Sequence, residues 1–225
     1  MKGILVATGV DVEARGLARH LGLERAPTSD HLHFRGSGVD LVCVGPGAGR
    51  LDGVTALARA ASVMVSAGTC GALALHLARG DVVVPQAVLT PRGHRHPLPA
   101  LVGLPQAGTL LTVEAVVATA VAKARLWRET AALAVDMESS IIVEWAAALG
   151  LPAVAVRGVV DTAVDGVSAA LAGVVDGRGR TRMRRAAQVV LTRPGALPQA
   201  LALHRGTAAA LARVAAALRP LIAHR

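Results

Sequence analysis

AVDMESSIIVEWAAALGLPAVAVRGVVDTA, residues 134–163, reads as strand, helix, strand. Residues 132–136 and 153–160 are short apolar runs rich in Val and Ala. Between them, 138–149 carries its apolar residues at helical spacing. Neither strand alternates apolar with polar residues, so both of their faces are expected to be covered. A carboxylate closes each strand: Asp136 with Glu138 after the first, Asp161 after the second.

The same alternation extends outward. Strands are predicted at 2–7, 38–44, 62–67, 81–88 and 108–114, and helices at 11–22, 49–60 and 119–130. Apolar strands separated by helices predict an α/β fold of three layers, a mixed, mostly parallel sheet flanked by helices. Such sheets bind ligands beyond the carboxyl ends of their strands. Glu13, Thr69, Glu138 and Asp161 all follow predicted strands. After Gly166 the chain becomes Gly- and Arg-rich, with a short helix expected at 182–191 and a longer one at 197–222. In the latter, Leu211, Val214, Leu218 and Leu221 share one side, while Arg205, Arg213 and Arg219 point elsewhere.

The 225 residues carry a net charge of +9, but the charge is segregated. Ten arginines and no acidic residue lie between Arg178 and Arg225, whereas residues 1–177 hold 14 basic and 15 acidic side chains. The body is electrically ordinary and the tail is cationic. Aromatics are limited to Phe34, Trp127 and Trp145, too few for base-stacking recognition of RNA or single strands, so nucleic acid is not the expected partner. Two cysteines, Cys43 and Cys70, exclude a disulfide scaffold or Cys-rich zinc module, and both read as buried small hydrophobes. No signal peptide and no charge-free apolar run of about 18 residues is seen, so a cytoplasmic chain without a spanning helix is expected.

Several motifs narrow the chemistry. VGPGAGR (44–50) fails as a dinucleotide fingerprint, because Arg50 stands where the third glycine belongs. The pairs His31/His33 and His94/His96 lack acidic or Cys companions, so no metal and no organic cofactor is expected. SAGTCGAL (66–73) reads as a turn that offers backbone N–H groups and the Thr69 hydroxyl to a polar ligand, or as a plain tight turn. Asp136 reads as a helix cap. Glu138 reads as a carboxylate for vicinal hydroxyls, with Met137 beside it. Asp161, at a partly desolvated strand end, is a candidate proton donor or a cap.

Together, ILVATGVDVEAR (4–15), SAGTCGAL (66–73), RGDVVVP (79–85), GTLLTVEAVV (108–117) and residues 134–163 resemble the purine nucleoside phosphorylase/uridine phosphorylase superfamily. The order D-M-E-S then V-R-x-V-x-D-T is the specific part, and the likeness covers residues 2 to about 166. LLTVEAVVAT (110–119), KARL (123–126) and VVLTRPGALPQALAL (189–203) look like its hopanoid-associated phosphorylase branch. That resemblance implies cleavage of an N-glycosidic bond, with adenine released from adenosylhopane. It implies Asp161 as the acid at purine N7 and Glu13 as the residue that activates water. Glu138 would grip the ribose hydroxyls, and Met137 would lie under the sugar. Thr69, beside Gly68, would sit near the nucleophile, and Val116 would stand where relatives stack the base on an aromatic ring.

Two departures bear on the nucleophile and the acid. Ser66 stands where phosphorolytic relatives have an arginine, which weakens phosphate as the nucleophile, although Arg15 and Arg50 are spare cations and phosphate is kept as a candidate co-substrate; Glu13 favours water. Val160 stands where a serine often precedes the acid. The resulting expectation is a nucleoside phosphorylase-like catalytic domain, 1–168, and a basic helical extension, 169–225, packed on or beside it. The expected partners are a small or lipid-linked nucleoside, further copies of the chain in a homo-oligomer, and a peripheral membrane surface met by the basic segment. The alternatives are a methylthioadenosine/adenosylhomocysteine or futalosine nucleosidase, and a non-catalytic nucleoside-binding protein.

Overall fold

The apolar runs become the strands of one sheet, as a computed structural model shows for residues 3–27, 30–166 and 196–223. The first half holds β1 (Gly3–Thr8), α1 (Asp11–Leu21), β2 (Glu24–Arg25), β3 (His33–Gly36), β4 (Val39–Cys43), α2 (Thr55–Ala60) and β5 (Ala61–Ala72). Then follow β6 (Val82–Val83), β7 (Ala87–Leu89), β8 (Arg95–Pro97), β9 (Thr109–Thr112), α3 (Ala120–Thr130), β10 (Ala134–Asp136), α4 (Ser139–Ala148), β11 (Ala153–Asp161) and α5 (Ala196–Ala223). The helix expected at 182–191 lies outside the described residues.

The sheet runs β2-β3-β4-β1-β5-β10-β9-β7-β8, with β11 and β6 branching from β5. β5 is the hub. Its first half lies between parallel neighbours, β1 on one edge and β11 on the other. Its last residues leave β1 and pair antiparallel with β10. Two apolar cores form on opposite faces. Met64, Ile142, Val143 and Ala146 belong to the one under α4, and Leu17, Val65, Val154 and Val156 to the one under α1 and α5.

The main differences from expectation concern glycine and proline. SAGTCGAL is not a turn: residues 66–72 continue β5, paired with β11 through Gly71 and with β10 at Gly71 and Ala72, while the Thr69 N–H goes to the Glu13 carboxylate. Residues 81–88 are not one strand, since Val84–Gln86, with Pro85 at the centre, separates β6 from β7. The segment predicted as a helix from 49 begins as a 3₁₀ turn, Leu51–Val54, before α2.

The C-terminal stripe packs on the body of the chain. Leu211, Val214, Leu218 and Leu221 are all buried in the chain's own core against α1 and the sheet. This apolar face is therefore not available to a lipid surface or a neighbouring subunit, while Arg213 and Arg219 stay exposed. By length and composition Gly206–Ala223 is apolar enough to cross a membrane, although Arg213 and Arg219 within it mean that it is not a charge-free run. Its buried side is the inner face of this layer.

Candidate active site

Strands β1, β5, β10 and β11 deliver their carboxyl ends to one cavity of about 660 Å³. Glu13, Thr69, Val116, Met137, Glu138 and Asp161 all line it. Gly68 does not; it lies behind the wall. Arg15 and Arg50 are not at the cavity either. Arg15 faces Asp11 along α1, and Arg50 donates to the Asp30 carbonyl.

Glu13 sits in the first turn of α1, one residue past Val12 and just after β1, so its carboxylate faces the end of β5. Its Oε1 accepts two hydrogen bonds from Thr69, from the backbone N and from Oγ1, each 2.8 Å. Oε2 is not used by Thr69. Gly68 makes this approach feasible. Its φ is +156°, and a Cβ there would stand 2.6 Å from Arg157 Nη1 and 2.8 Å from Glu13 Oε1. Gly68→Ala is expected to push both groups from place, lowering turnover while far-UV circular dichroism keeps the wild-type spectrum.

Glu138 and Asp136 flank a cation that sequence reasoning missed. Arg157, on β11, is fully buried. Its Nη2 lies 2.9 Å from Asp136 Oδ2 and donates to Ser66 at 2.6 Å and Ser139 at 3.1 Å. Ser66 thus serves the arginine rather than replacing one. Nη1 lies 3.8 Å from Glu138 Oε2 and is buried with no hydrogen-bond partner among the described residues. Asp136 is also the expected cap, accepting from Ser139 N at 3.1 Å, and Thr112 donates to its other oxygen at 2.8 Å.

Glu138 accepts from Gly47 N at 3.3 Å. Burial pushes its carboxyl up to about 7; Arg157 opposes that, while Asp136 and Glu13 add to it. The folded chain therefore holds this proton more tightly than the unfolded chain does. Ionised Glu138 lowers stability in full above about pH 7, and the loss shrinks as pH falls toward the ordinary glutamate value of about 4.3. Across that window the melting temperature of the wild type should gain on that of Glu138→Gln as pH falls. Parallel melting curves for the two proteins would contradict the assignment.

Asp161 reaches the cavity through an irregularity. The register of β11 on β5 slips between Val159 and Asp161, a bulge that re-aims the carboxyl over Gly71. Burial raises its pKa, and a hydrogen bond and charge from Lys123 pull it partly back. Lys123, the second residue that sequence reasoning missed, is buried on the inner face of α3. It donates to Asp161 Oδ2 and, at 2.7 Å, to the Thr162 carbonyl. The support that the Val160 position lacks comes from this lysine instead. The rest of the wall is aliphatic, with Val12, Val113, Val116, Val117 and Val160, and α5 adds Thr207. No group of three metal-ligating side chains occurs among the described residues. Cys43 and Cys70 are buried thiols whose pKa burial raises, which suits packing rather than nucleophilic attack.

A family model of the phosphorylase superfamily matches residues 104–193. No curated protein matches the sequence. Among solved structures, the futalosine hydrolase of Helicobacter pylori is similar with a TM-score of 0.73 at 13% identity, over 100% of this chain and 98% of that one. The 5′-methylthioadenosine/S-adenosylhomocysteine nucleosidase of the same organism gives 0.72 at 14% identity, over 100% and 99%. The Arabidopsis thaliana 5′-methylthioadenosine nucleosidase gives 0.68 at 18% identity, over 100% and 97%. At these identities the likeness establishes the fold, which is that of the nucleosidases. Neither the family match nor these structures single out the hopanoid-associated branch.

Proposed function

We propose that this phosphorylase-superfamily chain is a nucleosidase that cleaves the N-glycosidic bond of an adenosine-like nucleoside, with water as the nucleophile. The observation that carries the reading is the gathering of Asp161, Glu138 and the Glu13–Thr69 pair around one cavity at the strand ends. Breaking the bond between C1′ and the purine leaves positive charge on the sugar and negative charge on the base. An acid is needed beside the base and a nucleophile beside C1′. Asp161 supplies the proton to N7. Glu138 accepts from the 2′- and 3′-hydroxyls, and Met137 packs under the sugar. Glu13, held through Oε1 by Thr69, takes a proton from the attacking water on Oε2.

Charge favours water over phosphate. The two buried cations among the described residues are already paired, Arg157 with Asp136 and Lys123 with Asp161. A phosphate dianion beside C1′ would face Glu13 and Glu138 without an uncommitted cation among the described cavity-lining residues. Water meets no such repulsion.

Aliphatic walls suit a substrate with an apolar substituent, and with the hopanoid-associated resemblance they favour adenosylhopane. Adenine release from adenosylhopane, methylthioadenosine, S-adenosylhomocysteine and futalosine, each assayed with and without phosphate, tests this. Preference for the hopanoid, unchanged by phosphate, is expected; cleavage of the small soluble nucleosides alone would transfer the chain to the methylthioadenosine or futalosine group. Binding without cleavage of any of the four would mark a nucleoside-binding protein.

A further inference from the structure

The buried Lys123–Asp161 pair carries an inference that rests on the reading of Asp161 as the acid. Lys123 is one of only two lysines in the chain, with a side chain 1% exposed. It occupies the inner face of α3 with Leu126 and Trp127. Its ammonium meets Asp161 Oδ2 and the Thr162 carbonyl. The other charged or titratable groups that act on Asp161 are Asp165 and Arg79, themselves paired at 3.0 Å toward solvent, and the Cys70 thiol on β5. The ammonium is the donor built onto the acid.

An ordinary ion pair would defeat the chemistry. A carboxylate held ionised by lysine has no proton for N7, yet burial disfavours separated charge at this place. We propose that Lys123 is the positioning residue and proton reservoir of Asp161, the two side chains sharing one transferable proton. That proton moves from Lys123 Nζ to Asp161, leaving a neutral amine beside a carboxylic acid. As the C1′–N9 bond breaks and its electrons pass to the purine, the acid proton passes to N7 and the base departs neutral. Water adds to C1′ and its proton goes to Glu13. Release of that proton to solvent and uptake of one by the Lys123–Asp161 pair restores the starting state.

Lys123→Met and Lys123→Arg separate this role from a structural one. In the wild type, turnover at alkaline pH persists until the pair loses its shared proton. In Lys123→Met only protonated Asp161 can act, so the alkaline limb of kcat/KM moves to lower pH and falls tenfold per pH unit beyond it. In Lys123→Arg the charge remains, but guanidinium does not give up its proton. The arginine is therefore expected to fail as a rescue. Both variants should lose about 100-fold on an adenine nucleoside relative to 4-nitrophenyl riboside, whose leaving group departs as a stable anion without an N7 proton. This ratio does not depend on how much of each variant folds.

Restored nucleoside turnover in Lys123→Arg, or an unshifted alkaline limb in Lys123→Met, would overturn the inference. So would equal losses on both ribosides. A wild type that releases no adenine from any nucleoside would instead strike the nucleosidase reading itself, and the two failures are thereby distinguished.

Discussion

Asp161→Asn should abolish most of the turnover of an adenine nucleoside, lowering kcat by about 10²–10⁴-fold while KM moves little. The amide keeps the shape and the hydrogen-bond acceptor for Lys123, but holds no proton of suitable acidity for N7. Because protonation is needed only as the bond breaks, the loss belongs to kcat rather than to ground-state binding. The same variant should keep most of its activity on 4-nitrophenyl riboside. It also leaves a buried ammonium beside a neutral amide, so a lower melting temperature is expected with the kinetic loss. Full turnover of the nucleoside by Asp161→Asn would remove this carboxyl from the chemistry.

Arg157→Met should be the most damaging change to the fold. The guanidinium is wholly buried, paired with Asp136 and hydrogen-bonded to Ser66 and Ser139. Removing it leaves the Asp136 carboxylate without its cation and Glu138 with less opposition to its raised pKa. Breaking a buried pair from one side costs about 3–5 kcal/mol. For a chain of this size each kcal/mol lowers Tm by about 2–4 °C, so a fall on the order of 10 °C is expected in calorimetry. Asp136→Asn in the same chain should recover part of it, since the stranded charge is then gone. A double variant no more stable than Arg157→Met would show that lost packing, not unpaired charge, dominates.

The sites that were legible in the sequence share a position. Asp161 ends an apolar strand, Glu138 and Glu13 come soon after one, and an α/β sheet collects such residues at one edge. Lys123 and Arg157 carried a signal of another kind. Lys123 recurs with Leu126, Trp127 and Thr130 on the inner side of a helix, and Arg157 interrupts AVAVRGVV, a run buried at every position. A lone cation within an apolar pattern implies a buried partner, but not which one. SAGTCGAL read as a turn because its glycines suit turns. Here they serve close approach, with Gly68 admitting Glu13 and Arg157 and Gly71 lying beneath Asp161. The stripe of α5 was readable for the same reason that its partner was not. Periodicity shows that a face is buried, while α1 and β11 as the cover are a property of the fold.

The short strands β2, β3 and β8, at or next to the sheet edges, were not legible at all. They are short and partly exposed, and ladder partners rather than sequence pattern define them.

Water, in the function proposed for this cavity, cleaves the N-glycosidic bond of an adenine nucleoside. The most direct test is the wild-type protein with adenosylhopane or methylthioadenosine in phosphate-free buffer containing ¹⁸O-labelled water, with the products read by mass spectrometry. Free adenine together with a ribosyl product carrying one ¹⁸O at C1 is the expected result. Adenine formed only on addition of phosphate, as a ribose 1-phosphate derivative without label, would contradict it.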